Sequence, residues 1–174
     1  MLYTDYIDSP VGLLTLVADE QHLVVLSFGK LNQRGIAALQ QRFGDYQLVT
    51  SANPHGFSAA IRRYFAGDLT AIDTIPVKLD GKPFQNQVWL ALRTIPVGTT
   101  RSYGDLAAQL GNRSASRAVG YANSQNPIAI VLPCHRVIGA NNDLTGYGGG
   151  LDRKRWLLRH EGIDLGGEQM AFDL

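Results

Sequence analysis

Residues 101–125, RSYGDLAAQLGNRSASRAVGYANSQ, read as two short helices joined by a tight turn. Ser102 stands where a cap belongs, ahead of Tyr103, Leu106, Ala107 and Leu110 at i, i+3, i+4 and i+7. Gly111-Asn112-Arg113-Ser114 supplies the turn, and Ala115–Gln125 resumes a helical pattern. This is the helix-turn-helix pattern, although many all-helical proteins contain such a hairpin. The second helix carries Ala115, Ser116, Ala118, Gly120 and Ala122, with an Arg at 117. So little side-chain bulk suits either tight helix–helix packing or close approach to another surface.

The flanking sequence extends the reading in both directions. Asn126-Pro127 stops the second helix, because the residue before a proline avoids the α region. Ile128–Leu132 is a short apolar run, followed by Pro133-Cys134-His135-Arg136 and a glycine-rich loop, Gly146–Gly150. Asp152 is placed to cap a last helix, Arg153–His160, with Trp156 and Leu157 facing inward and Glu161-Gly162 at its end. Upstream, Pro83 suits the first turn of a helix with Phe84, Val88, Trp89 and Leu92 on one side. The first thirty residues read instead as strands, Leu2–Ile7, Leu13–Ala18 and Leu23–Phe28, a small antiparallel meander. Two helices follow, over 31–43 (Leu31, Ile36, Leu39, Phe43) and 56–66 (Phe57, Ile61, Tyr64, Phe65). Segment 68–81, DLTAIDTIPVKLDG, has no helical period and reads as a connector. A boundary near residue 80 separates an N-terminal α/β domain (1–80) from a mostly helical C-terminal domain (81–174).

Of the 174 residues 45% are hydrophobic and 18% charged, an ordinary globular composition, and no apolar run nears the ~20 residues of a membrane span. MLYTDYIDSP has two acids and no basic cluster, so no signal peptide is expected. Residues 1–80 hold six Lys and Arg against eight acids, whereas residues 81–163 hold ten against four. The cationic half fits a polyanion such as nucleic acid, or simply a solvated charged face. The single cysteine, Cys134, excludes an intramolecular disulfide and a multi-thiolate zinc cage, and the reducing cytoplasm is its expected setting.

A lone cysteine is most often a buried filler. Beside His135 it is also a candidate nucleophile, but a thiol of pKa ~8.5 is barely ionised at neutral pH and needs a base or a cation. Sequence neighbours point apart on a helix and to opposite faces of a strand, so a bridging water is the expected link between Cys134 and His135. Glu161 closes its helix at the end where the macrodipole disfavours a carboxylate. It is either an exposed terminal acid or one with a tertiary partner, for which His135 is the candidate. The glycines around Tyr147 do not match the P-loop pattern; they make a surface turn or a loop closing over a pocket.

Four stretches, PFQNQVWLALRTIPVG, RSYGDLAAQLG, SRAVGYANSQNPIAIVLPCHRVIG and TGYGGGLDRKRWLLRHEG, cover nearly all of residues 83–162. They resemble the O6-alkylguanine-DNA alkyltransferases (methylated-DNA–protein-cysteine methyltransferases) of bacterial type. SPVGLLTLVAD and IRRYFAG extend the resemblance into the N-terminal half. It implies an α+β chain, with a ribonuclease-H-like N-terminal domain holding the small antiparallel sheet and a winged-helix-like C-terminal DNA-binding domain. The implied activity is direct, irreversible, single-turnover transfer of an alkyl group from O6-alkylguanine, and less readily O4-alkylthymine, in double-stranded DNA to Cys134.

The resemblance also distributes roles. His135 matches the base acting through a water, Glu161 its orienting carboxylate, and Tyr103 the tyrosine that protonates guanine N3. Asn126 matches the asparagine joining the recognition helix to the cysteine loop. Arg117 matches the finger that fills the stack when a nucleotide is flipped out, a step any enzyme working on a stacked base requires. Ser116, Ala118, Tyr103 and Arg136 accompany it as DNA contacts in the minor groove. Val137, Tyr147 and Gly148 match the alkyl and base pocket, with Gly148 standing where many relatives carry Ser or Ala. A cytoplasmic monomer is implied, with no cofactor and no metal, since the zinc site of some members needs cysteines this chain lacks. A non-catalytic lesion-sensing relative would lack the acceptor cysteine, which Cys134 argues against. A cysteine hydrolase would turn over repeatedly.

Overall fold

Strands β1 (Leu2–Ser9), β2 (Gly12–Ala18) and β3 (Leu23–Phe28) pair antiparallel in chain order, as their apolar runs and turn residues predict. Helix α1 (Gln33–Phe43) follows, its first turn capped by Asn32, whose side chain accepts from Gly35 N. Strand β4 (Leu48–Thr50) then pairs parallel to β1, giving the sheet order β3-β2-β1-β4. The sequence reading missed β4, because three exposed residues are too few for alternation to register. Helix α2 (Phe57–Phe65) buries Phe57, Ile61 and Tyr64. Leu2, Val17 and Val24 cluster with Leu39 of α1 on one face of the sheet. On the other face Ser58 Oγ donates to Asp5 Oδ2 at 2.6 Å, fixing α2 against β1. With a helix on either face, the central strand is buried from Leu14 through Ala18. Ile36, part of the apolar spacing of α1, is exposed; Leu39 is the buried residue of that helix.

The open edge of β3 is covered by two short segments. Leu23 exchanges backbone bonds with Pro76 and Lys78, and Leu26 with Pro127 and Ala129. Such cover protects an edge that would otherwise present unpaired amides. Pro127–Val131 therefore belongs to the first structural unit with Met1–Asp80, while Gly81–Asn126 and the chain from Leu132 make the second. The structure, a computed structural model, describes residues 1–165; the remainder of the C-terminal domain expected over 81–174 lies outside them.

The second unit contains α3 (Pro83–Leu92), β5 (Arg101–Ser102), α4 (Tyr103–Gln109), α5 (Ser116–Ser124), β6 (Val137–Ile138) and α6 (Leu151–His160). Pro83 sits in the first turn of α3, and Val88, Trp89 and Leu92 are buried while Phe84, on the first turn, is exposed. Trp89 Nε1 donates to Ala122 O at 2.8 Å, locking α3 to α5. Gly81 has to be small: a Cβ there would lie 2.5 Å from Trp89 Cζ3. Ser102 caps α4 as expected, its Oγ accepting from Asp105 N at 3.0 Å while Asp105 Oδ2 accepts from Ser102 N at 3.3 Å. Strands β5 and β6 pair in parallel, Arg101 with Val137 and Ser102 with Ile138, so the start of α4 is clamped beside the cysteine segment. Asp152 lies inside the first turn of α6, and Gly150 takes the cap position expected for it.

Candidate active site

The backbone approaching Cys134 is tightly folded. Val131 N donates to Ala129 O at 2.8 Å around Ile130, whose φ of 72° is a left-handed conformation costly for a β-branched residue, about 1–3 kcal/mol. Cys134 N donates to Leu132 O at 2.7 Å around Pro133, whose φ of −79° and ψ of 65° make a second three-residue turn. Cys134–Arg136 then forms one 3₁₀ turn. Asn126 Nδ2 donates to Leu132 O at 2.8 Å, tying the end of α5 to the start of this loop. Asn123 Nδ2 reaches Cys134 O at 3.4 Å.

Behind the cysteine lies a buried ionic network. His135 Nε2 and Glu161 Oε1 are 2.8 Å apart. Arg136 Nε donates to Glu161 Oε2 at 2.8 Å, its Nη2 donates to Oε1 at 2.9 Å, and its Nη1 donates to Ile95 O at 2.7 Å. All three side chains are almost wholly buried. Burial alone would push the Glu161 carboxyl up; the His135 contact and the Arg136 guanidinium outweigh it and hold the group far below the usual carboxylate range. Glu161 is therefore an anion that can only accept, so the proton between it and His135 sits on Nε2. Burial also pushes the imidazole down, against the pull of Glu161 and with help from the Arg136 charge. The ring is neutral, and its Nδ1, buried with no protein partner, carries the lone pair.

The helix end that positions Glu161 follows from Gly162. That residue has φ of 90°, Ile163 N donates to Leu158 O at 2.8 Å, and Gly162 N donates to Arg159 O at 2.9 Å. This pair of bonds is the Schellman arrangement, which needs a left-handed residue just past the helix. Glu161 is thus the cap residue of α6, turned inward, and its opposition to the helix dipole is answered by Arg136 and His135.

Cys134 is buried, only 5% of it being exposed. Burial pushes the thiol up, while the Asn126 side chain, the Lys154 charge and the Tyr147 side chain pull it down. Lys154 was not foreseen. It is fully buried, and its Nζ donates to Val137 O at 2.7 Å and Thr145 O at 3.0 Å. Desolvation brings its pKa down from 10.5 to about 8. The sequence did contain a signal: Lys154, Leu157, Leu158 and Glu161 fall at i, i+3, i+4 and i+7, a buried stripe hidden inside the basic run RKR.

Tyr103 is half-buried, its hydroxyl donating to Thr145 O at 3.4 Å and its ring beside Gly120, where a Cβ would sit 3.7 Å from Tyr103 Cδ1. Thr145 O thus joins Tyr103, Lys154 and the glycine-rich loop. Arg117 and Ala118 are exposed on α5, and Ser116 is half-buried with its Oγ donating to Arg113 O at 3.0 Å. Val137 is buried, and Gly148 is exposed with open space where a Cβ would project. The structure therefore gathers Cys134, His135, Glu161, Asn126, Tyr147 and Val137, whereas Arg117 and Ala118 are exposed on α5. Arg136 requires a correction: expected as a DNA contact, it is 4% exposed and its guanidinium is held by Glu161 and Ile95 O. It neutralises the buried carboxylate and cannot reach a phosphate.

A family model described as the 6-O-methylguanine DNA methyltransferase DNA binding domain matches residues 83–163, and one described as the ribonuclease-like domain of the same protein matches residues 2–79. The chain belongs to the 6-O-methylguanine DNA methyltransferase family. It is 49% identical over 167 residues to a methylated-DNA–protein-cysteine methyltransferase of Shigella flexneri, covering 94% of this chain and 98% of that one. It is 46% identical over 176 residues to the protein so named from Mycobacterium bovis, covering 99% and 100%. Among solved structures, Mycobacterium tuberculosis OGT in complex with DNA superposes with a TM-score of 0.79 at 44% identity, covering 91% of this chain and 92% of that one. The DNA-binding-domain match, residues 83–163, contains Cys134, His135 and Glu161.

Proposed function

We propose that this protein repairs double-stranded DNA by moving an alkyl group from O6-alkylguanine, and more slowly from O4-alkylthymine, irreversibly onto Cys134. The observation that carries the reading is a neutral imidazole beside the only cysteine, held by a buried carboxylate and turning its basic Nδ1 away from that carboxylate. The relatives' names, which specify methylated DNA as donor and a protein cysteine as acceptor, and the DNA-bound Mycobacterium tuberculosis structure support it.

The lesion is flipped from the duplex, with Arg117 entering the gap from the minor groove and Ser116 and Ala118 lying against the backbone. The Cys134 proton passes through one water to His135 Nδ1, and the imidazolium is stabilised by ionised Glu161, as a carboxylate does in hydrolase triads. Asn126, Lys154 and Tyr147 stabilise the developing thiolate. Sulfur attacks the alkyl carbon, the carbon–O6 bond breaks, and its electron pair stays with guanine, which takes a proton at N3 from Tyr103. Val137, Tyr147 and Gly148 bound the alkyl group. The product is a thioether, which neither water nor a thiol cleaves, so each molecule acts once. It works as a cytoplasmic monomer; among the described residues no helix is long and apolar enough to cross a membrane.

The test is incubation with a duplex bearing O6-methylguanine, followed by peptide mass spectrometry. One methyl on the Cys134 peptide and one equivalent of guanine restored are expected. An unmodified Cys134 peptide, or turnover beyond one equivalent, overturns the reading; the second outcome points to a hydrolase.

A further inference from the structure

Helix α5 buries Val119, Ala122 and Asn123 and exposes Arg117, Ala118, Tyr121 and Ser124. At 100° per residue, positions 117, 118, 121 and 124 share one face, and 121 falls between 117 and 118 in angle. Tyr121 is 66% exposed, the most exposed large apolar side chain among the described residues. Its neighbours on the helix, Ala118, Gly120 and Ala122, are small, so ring and guanidinium are the two groups that stand out from this face. Arg101, Arg113 and Arg117 are all exposed in the helix-turn-helix segment against a single acid, Asp105, so the face is cationic. An aromatic ring left in water contributes nothing to the fold, and a cationic surface selects a polyanionic occupant with apolar edges.

We infer that Tyr121 is a second groove-inserted contact, packing its ring against the sugar and base edges beside the nucleotide that Arg117 displaces in duplex DNA. The inference rests on the DNA-repair reading above. Four residues of helix advance about 6 Å, close to two base steps of about 3.4 Å each. Tyr121 therefore meets the duplex within about two base steps of the lesion. Every nucleotide offers a similar sugar edge and base face, so the contact holds whatever sequence surrounds the damage. Apolar side chains pressed between base steps also unstack them, which lowers the work of extrusion.

The experiment compares wild type, Tyr121→Ala and Tyr121→Phe on a duplex carrying O6-methylguanine with 2-aminopurine beside it. Affinity is read by anisotropy across a salt series, unstacking by 2-aminopurine fluorescence, and transfer by Cys134 methylation. Tyr121→Ala should bind on the order of tenfold more weakly, with the slope of log K against log salt unchanged, because no phosphate charge contact is lost. It should also show less 2-aminopurine brightening and lose more rate on duplex than on free O6-methylguanine base, while Tyr121→Phe keeps wild-type behaviour. Wild-type affinity in Tyr121→Ala, or equal rate loss on duplex and free base, overturns the inference while leaving alkyl transfer standing. A wild-type protein whose Cys134 stays unmethylated overturns the repair reading, and the role of Tyr121 with it.

Discussion

Replacing Glu161 by Gln keeps the side-chain volume and removes one charge at the centre of the buried network. Three hydrogen bonds converge on that carboxylate, at 2.8 Å from His135 Nε2, 2.8 Å from Arg136 Nε and 2.9 Å from Arg136 Nη2. Both carboxylate oxygens are occupied by donors, so the new amide must turn its own NH2 toward one of them. The Arg136 guanidinium, 5% exposed as a side chain, would lose its counter-ion. Removing one partner of a buried pair costs about 3–5 kcal/mol. For a chain of this length each kcal/mol moves Tm by about 2–4 °C, so the fall in Tm is on the order of 10 °C. Catalysis suffers separately, because a positioned base contributes roughly 10²–10⁴-fold, and without the anion His135 is a weaker base. Since Glu161 raises the His135 pKa, its loss moves the acid limb of the rate profile to lower pH and lowers the plateau.

The assay is circular-dichroism melting together with rapid-quench methyl transfer from duplex O6-methylguanine at several pH values. His135→Gln supplies the contrast: it removes the base but leaves the Arg136–Glu161 bonds, so it should lose rate with a much smaller fall in Tm. A Glu161→Gln protein with unchanged Tm and unchanged rate would refute the buried-anion argument. Equal melting losses in both variants would mean that His135, not Arg136, balances the charge.

Lys154 loses its proton near pH 8, so the transfer rate should decline as pH rises through that value, and Lys154→Met should be slower at pH 7 without that alkaline limb; a limb that persists in the variant assigns it to another group. Stability should fall as pH drops below ~6.5, because the unfolded histidine binds a proton that buried His135 refuses; equilibrium denaturation between pH 7 and pH 5 measures this, and a flat profile contradicts it. Arg117→Ala should lose more activity on duplex lesions than on the free base, and equal losses would remove the finger role. S-methylation of Cys134 adds a methyl where the residue is 5% exposed, which overpacks the site by about 1–3 kcal/mol; the repaired-and-spent protein should melt several degrees lower, and coincident melting curves would show that the pocket has room.

The helix-turn-helix was legible because its signals are local: Ser102 before a spaced apolar row, a glycine turn, and a proline just past the second helix. The pairing of Glu161 with His135 was only half legible: a carboxylate set against a helix dipole left an exposed acid equally open, and the family resemblance supplied the partner. Arg136 was misread because a guanidinium is ordinarily solvent-exposed and its type outweighed its apolar neighbours; its place depends on Ile95 and Glu161, 41 and 25 positions away. Lys154 was hidden by composition, since Arg153 and Arg155 on either side made a solvated run the simpler reading. The excursion of Pro127–Val131 to the edge of β3 left no trace in periodicity, being a single bridge at Ile128. Phe84 and Ile36 fall in the apolar spacing of their helices yet are exposed, because spacing marks a stripe without marking where its buried margin ends.

The direction of the pKa shifts at Cys134 and His135 bears on how a single-use nucleophile can be kept. An exposed thiolate would react with oxidants and stray electrophiles before any lesion arrived, and each such event would remove a molecule permanently. Here burial pushes the thiol up and the imidazole down, so at rest both partners are neutral and the sulfur is poorly nucleophilic. The groups that favour the thiolate are nonetheless fixed around it: Asn126 bonded to Leu132 O, Lys154 to two carbonyls, and Glu161 to Arg136. None needs to move for the proton to leave, because the basic Nδ1 is already formed by the tautomer that Glu161 imposes. On the proposed reading, reactivity is therefore gated by delivery of the substrate, because only a base extruded from the duplex brings its alkyl carbon to a buried sulfur. A cysteine with no resolving thiol is then a consistent design: protection before reaction matters, and regeneration afterwards does not.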